Sequence, residues 1–197
     1  MKFFKRNALS KNGNSMHDTL IEYWNERDAE DFDSSTKSSG RMEAINLIAE
    51  IAKPHLSRQG AVSVDLGCGT GLFAEAVGLR GIIGVDFSSS LFTLARRRMD
   101  IVWQKDIFDL QLADNSVDNA ISLFVMDDYP SEKKSAFFMQ VYSFLKPNGR
   151  FFFAAYSPND ERMGKLREVM NKKLLSGLKR LKMIKVYLEG TPHSPSA

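Results

Sequence analysis

From residue 61 onward the chain alternates short apolar runs with segments of helical period. Residues 61–66 read as a buried strand, 72–79 as a helix and 81–85 as a second strand. Residues 89–98 read as a helix carrying Leu91, Phe92, Leu94 and Ala95. Arg96, Arg97 and Arg98 close it, where cations suit the negative end of the helix dipole. Residues 101–104 and 117–125 give the third and fourth strands. Ser131 opens a helix whose inner face carries Phe137, Phe138, Val141, Phe144 and Leu145. Pro147-Asn148-Gly149 then turns the chain into a strand over 150–156. Strands alternating with helices predict βαβ units, hence an α/β fold with a parallel sheet covered on both faces.

The flanks have a different texture. Residues 1–15 are polar and basic without a period, which predicts a mobile tail. Ser15 and Asp18 have capping-box spacing and open a helix with Met16, Leu20, Tyr23 and Trp24 on one face. Residues 34–40 read as a small polar linker, and 41–53 as a helix that Pro54 ends. After the fifth strand, 161–180 reads as helix, and 183–188 as a sixth strand or a continuation of that helix. Three units follow: a tail and helical lid over 1–57, a main domain over 58–190 and a tail over 191–197.

Composition narrows the class. With 197 residues, 43% hydrophobic and 26% charged, the chain can bury a sizeable core and is not a disordered or fibrous sequence. No apolar run reaches the roughly 18 residues of a membrane span. The basic start is broken at once by polar residues, unlike a secretory signal. The single cysteine, Cys68, excludes an internal disulfide and a cysteine-cluster metal site. A cytoplasmic protein is expected, with no membrane partner. Net charge is +3, but residues 161–197 hold nine Lys/Arg against three Glu, or +6. That segment reads as the solvated face of an amphipathic helix, or as a surface for an acidic partner.

The chemistry concentrates in Val64-Asp65-Leu66-Gly67-Cys68-Gly69-Thr70-Gly71, between a strand and a helix. Glycines there let a ligand approach the backbone, and the helix start offers free N–H groups. The spacing is Gly-x-Gly-x-Gly, not the Gly-x-Gly-x-x-Gly of dinucleotide folds, and no Gly-Lys-Ser/Thr of a phosphate-binding loop follows. Asp65 beside the loop opposes a pyrophosphate. At ~4 Å and an effective dielectric of ~20, two unit charges interact by about 4 kcal/mol. The same carboxylate attracts a cation, which favours S-adenosylmethionine, with its ammonium and sulfonium, over NAD. Asp86 lies 21 residues on, near the interval at which an acidic residue reaches a ribose. It reads as a ribose ligand or a helix cap. Phe87 beside it is placed to pack on adenine, Asp106 to accept from the adenine amino group and Ile107 to cover the ring.

On these motifs residues 61–157 resemble the class I, Rossmann-like S-adenosylmethionine-dependent methyltransferases. The run from Asp65 to Gly71 matches the family's first motif, and Gly84-Val85-Asp86 the acidic loop after strand two. Leu145-Lys146-Pro147-Asn148-Gly149-Arg150 matches the turn before strand five. The resemblance implies a doubly wound, mostly parallel sheet of order 3-2-1-4-5, followed by one or two C-terminal strands, with an N-terminal helical lid. Family members usually add two strands, the last antiparallel. Only 41 residues follow Tyr156, so either a sheet short by a strand or a reduced C-terminus is expected. Cofactor contacts are then expected from Asp65, Gly67, Cys68, Gly69, Gly71, Asp86, Phe87, Asp106, Ile107 and Phe124. Tyr23, Phe32 and Arg41 of the lid are expected to close over the methionine end, mobile without ligand and ordered with it.

Methyl transfer needs alignment and exclusion of water, and a base only when the acceptor must lose a proton early. The acceptor is expected near residues 124–130, where Asp127, Asp128 and Tyr129 are the catalytic candidates. That loop lacks the Asn/Asp-Pro-Pro-Tyr/Phe pattern of nucleic-acid amino methylation. A two-Asp metal site is the alternative use of these residues, but the sequence does not support a full ligand set, and His17, His55 and His193 lie outside the sheet region. These features imply methyl transfer to an O or N atom of a small molecule. An RNA- or protein-directed enzyme using the basic segment is an alternative, though no RNA-binding module is recognisable. A cofactor-binding protein without turnover is another.

Overall fold

The computed structural model describes residues 16–129, 131–156 and 182–188. The predicted tails, the basic helix over 161–180 and Ser15 lie outside them. Six strands form one sheet: β1 (Ser63–Leu66), β2 (Ile83–Asp86), β3 (Ile101–Gln104), β4 (Val117–Leu123), β5 (Leu145–Tyr156) and β6 (Lys182–Leu188). Their order is β3-β2-β1-β4-β5-β6, and every neighbouring pair is parallel. The stretch left open between strand and helix is a strand. It pairs with β5 directly, from Arg150↔Lys182 to Tyr156↔Leu188, so among the described residues no antiparallel strand intervenes.

Alternation along the strands decides the layers, because successive side chains point to opposite faces. Phe151 and Phe153 enter one core with Phe137, Phe138 and Val141 of α6 (Ser131–Phe144) and Leu20 of α1 (Met16–Asn25). Phe152 and Ala154 enter the other. They meet Ile48 and Ala52 of α3 (Gly40–Leu56), Phe73 and Val77 of α4 (Leu72–Val77), and Ala95 of α5 (Ser89–Arg98). Each such fully buried large side chain contributes about 1.5–3 kcal/mol. Both faces of the central strands are therefore covered, as a parallel sheet requires.

Three local expectations are corrected. The linker over 34–40 is mostly helix: α2 runs Ala29–Lys37. Asp28 caps it by accepting from the Asp31 N–H at 2.8 Å, and Asp33 and Thr36 are buried on its inner side. The small polar residues bend the chain only at Ser38 and Ser39, whose N–H groups bond back to Ser34 and Thr36 carbonyls. Pro54 does not end α3, which continues to Leu56. Burial of Ala52 and Leu56 outweighs the one N–H that proline lacks. The Pro147-Asn148-Gly149 turn lies within β5 as a break in its pairing with β4, since Val117↔Leu145 is followed by Asn119↔Arg150.

Candidate active site

Order reverses between β1 and β4, the place where open parallel sheets leave a crevice at their carboxyl ends. A cavity of about 930 Å³, including its open mouth, lies there. The glycine loop forms its floor. Gly67 (φ +77°) and Gly69 (φ +56°) adopt the left-handed region that glycine favours. The Gly67 and Cys68 N–H groups donate to the Val85 carbonyl at 2.7 and 3.1 Å. Asp86 straps the loop further: one oxygen accepts from Gly69 N–H and the other from Ser88 N–H, both at 2.8 Å. Ser88 rather than Asp86 caps α5, accepting from the Leu91 N–H at 3.4 Å, so Asp86 holds the loop in place while its side chain also lines the cavity.

Most of the sequence-predicted residues meet there. Asp65, Gly67, Cys68, Gly69, Asp86, Phe87, Ile107 and Phe124 line the cavity, as do Phe32 and Arg41 from the N-terminal helices and Tyr129 from the loop after β4. Phe124 has φ +61°, unusual for an aromatic residue and typical of strained functional positions. Four expected residues stand off. Gly71 (φ +80°) packs α4 on α5 instead: a Cβ there would meet Arg98, Ala95 and Met99 at 3.3–3.4 Å. Asp106 caps a short 3-10 turn by accepting from Phe108 N–H at 2.8 Å. Tyr23 faces Arg27, accepting from its guanidinium at 2.8 Å, and its neighbour Trp24 takes the cavity wall. Asp127 is not on the lining, and the Asp128 side chain lies outside the described residues.

Sequence reasoning missed Trp24, Thr36, Ile45 and Leu91 on the lining. Their residue types suit ordinary packing, and nothing in their spacing separates wall from core. It also missed Asp33, which ties the N-terminal helices to the loop. Arg98 donates to both Asp33 oxygens at 2.9 Å, and Thr70 Oγ1 donates to one at 2.7 Å. Lys37 adds a contact at 3.0 Å. At the end of α1, Asn25 Oδ1 accepts from the Ser89 N–H at 2.9 Å, and the Trp24 carbonyl from Ser88 Oγ at 2.8 Å. The cover is fastened to α5 by polar bonds as well as by packing.

Charge inside the cavity is one-sided at the floor. Asp65 is 2% exposed and its Oδ2 has no hydrogen-bond partner. Burial, and then the nearby Asp86 carboxylate, push its pKa up to about 8. Burial also raises Asp86, against the lowering effect of its two backbone donors. The Cys68 thiol is pushed well up, first by burial and then by Asp86 and Asp65, so it stays protonated and is no nucleophile. Burial opposes ionisation of Asp33, but hydrogen bonds from Arg98, Thr70 and Lys37 outweigh it and hold its pKa below the usual carboxylate value.

Comparison with known proteins agrees with this frame. Residues 64–153 match the methyltransferase-domain family. The chain is 27% identical to the ubiquinone biosynthesis O-methyltransferase of Coxiella burnetii, across 61% of this chain and 56% of that protein. It is 33% identical to the demethylmenaquinone methyltransferase of Symbiobacterium thermophilum, across 51% and 44%. The chain thus spans about half the length of these relatives. The magnesium protoporphyrin IX methyltransferase of Synechocystis, solved with bound S-adenosylmethionine, shares the fold at TM-score 0.55 and 17% identity, covering 69% of this chain and 74% of that one. DhpI, in its complex with SAM and HEP, does so at 0.57 and 22%, covering 77% and 71%. Residues 64–153 thus match a methyltransferase domain, and the sheet order and these structures give the chain the class I, Rossmann-like methyltransferase fold.

Proposed function

We propose that the chain binds S-adenosylmethionine in this cavity and transfers its methyl group to an O or N atom of a small molecule. The observation that carries the reading is Asp65: a buried carboxyl oxygen without a partner, facing the cavity beside the glycine loop. Such an atom is costly unless a donor reaches it, and an ammonium satisfies it where a pyrophosphate does not. The residues fit the group in three further respects. Asp86 sits at the cavity with lone pairs left for a ribose after its two backbone bonds. Phe87 and Ile107 are placed to enclose a flat ring. The absence of side chains at Gly67 and Gly69 leaves the floor open to close approach.

When bound, the cofactor supplies a methyl carbon already activated by its sulfonium. The protein's part is then to align and to dry the site. Trp24, Phe32 and Ile45 from the cover, with Leu123, Phe124 and Val125 after β4, exclude water. That largely apolar wall suits a small acceptor with apolar surface, consistent with the quinone and porphyrin methyltransferases named above. Tyr129, 5% exposed on the lining, is the polar group placed to orient an acceptor hydroxyl or amine.

Calorimetry is expected to show binding of S-adenosylhomocysteine at micromolar levels and no comparable binding of NAD. A screen of phenolic and amine acceptors for S-adenosylhomocysteine release is expected to find turnover. Preferential NAD binding overturns the cofactor assignment. Tight cofactor binding without turnover on any acceptor class leaves a binding protein instead.

A further inference from the structure

Thr36 is a buried hydroxyl that the fold does not use. It lies on α2, 3% exposed, lines the cavity, and its Oγ1 has no hydrogen-bond partner. A helical threonine ordinarily bonds its hydroxyl back to a carbonyl three or four residues earlier. Here the Phe32 carbonyl, four residues back, already accepts from Ser35 Oγ at 2.9 Å. The neighbouring hydroxyl, Thr70 Oγ1, is spent on Asp33 at 2.7 Å.

Its surroundings define what it meets. Phe32 and Thr36 are one turn apart on the same face of α2, and that face is fixed by the bonds of Asp33 to Arg98 and Thr70. Phe32 lies against Gly69, 3.6 Å from where a Cβ would be. The Arg41 guanidinium stands 5.7 Å from the Phe32 ring centre and lines the same cavity. The cover therefore presents a hydroxyl donor and a cation, while the floor presents the unpartnered Asp65 carboxyl. This is the polarity that a zwitterionic amino-acid group needs, with its ammonium toward Asp65 and its carboxylate toward the cover.

Resting on the proposed cofactor, we infer that the Thr36 hydroxyl donates a hydrogen bond to the carboxylate of the cofactor's methionine end, beside Arg41. Thr36 is thereby a specificity residue for ligands that carry that carboxylate.

The test compares Thr36→Val, which keeps the shape and removes the hydroxyl, with Thr36→Ser, which keeps the hydroxyl. Each is titrated with S-adenosylmethionine and with its decarboxylated form, which retains adenosine, sulfonium and ammonium. Thr36→Val is expected to weaken S-adenosylmethionine by about tenfold, the scale of one charge-assisted hydrogen bond. It should leave the decarboxylated ligand within about twofold, and Thr36→Ser should restore most of the loss. Equal losses for both ligands mean a packing role and overturn the inference, as does no loss for either. A wild-type chain that binds neither ligand overturns the cofactor reading itself, a result separate from an insensitive Thr36→Val.

Discussion

Asp33 on α2 and Arg98 at the end of α5 are joined by two parallel hydrogen bonds, each 2.9 Å, although 65 residues separate them. Arg98 also donates to the Thr70 carbonyl at 2.8 Å and contacts Glu75 at 2.8 Å. One fork thus connects the cover, the glycine loop and α4. Such a planar, bidentate pair holds geometry better than a single point contact.

Asp33→Ala removes two charge-assisted hydrogen bonds from a guanidinium that is 16% exposed and keeps only Glu75 and the Thr70 carbonyl, and is expected to cost about 3 kcal/mol. For a domain of this size that is a Tm drop on the order of 6–12 °C. The Asp33 pKa is depressed, so its stabilisation is present above the ordinary value of 3.8 and is lost as pH falls through the lowered one. Thermal melts of Asp33→Asn should accordingly show a flatter acid limb than wild type. Hydrogen exchange checks the fastening: α2 amides are expected to be nearly as protected as those of α3, with or without S-adenosylhomocysteine. Strong ligand-induced protection confined to α2 would instead support a mobile lid.

Asp65 has the opposite sign. Its folded pKa, about 8, lies above the ordinary 3.8, so between these values the folded chain holds a proton that the unfolded chain has released. This contribution to stability is full below 3.8 and is lost as pH rises toward 8. Asp65→Asn should remove that loss, leaving the variant more stable than wild type at pH about 8 while S-adenosylmethionine binding weakens at least about tenfold. Melts across pH and calorimetry at fixed pH read the two effects separately.

Asp86→Ala leaves the Gly69 and Ser88 N–H groups without their acceptor, at about 1–3 kcal/mol each. Stability and binding should both fall, with binding down at least about tenfold. Loop support and ribose contact are separated by a cycle between Asp86→Asn and a 3′-deoxy form of S-adenosylhomocysteine. A coupling of about 1 kcal/mol or more assigns the ribose, whereas additive losses assign loop support alone.

Gly67→Ala drives a Cβ into the Val125 side chain at φ +77°. Valine is stiff about χ1 and cannot swing aside cheaply, so the wall after β4 must shift. A loss of more than about tenfold in S-adenosylhomocysteine affinity is expected. Gly60→Ala is the control: its φ is +74° but its Cβ meets nothing within 4 Å, so only the strain of roughly 1 kcal/mol remains and affinity should hold.

The sequence by itself determined the alternation of strands and helices, with α5 and β3 read to the residue, because apolar period and capping residues act locally. It determined the glycine loop and the two carboxylates beside it, since positive φ and buried charge restrict which residues can stand there. Tertiary structure alone decided that 34–37 is helix: serines and threonine disfavour helix locally, and burial of Asp33 and Thr36 against the glycine loop and cavity overrides them. It decided that Trp24 rather than Tyr23 lines the cavity, because adjacent helical residues point about 100° apart and only docking selects one. It also paired Asp33 with Arg98 and left Thr36 Oγ1 and Asp65 Oδ2 without partners. Bonds across 65 residues, and the lack of them, have no period to read; they exist only once the elements that carry them are packed together.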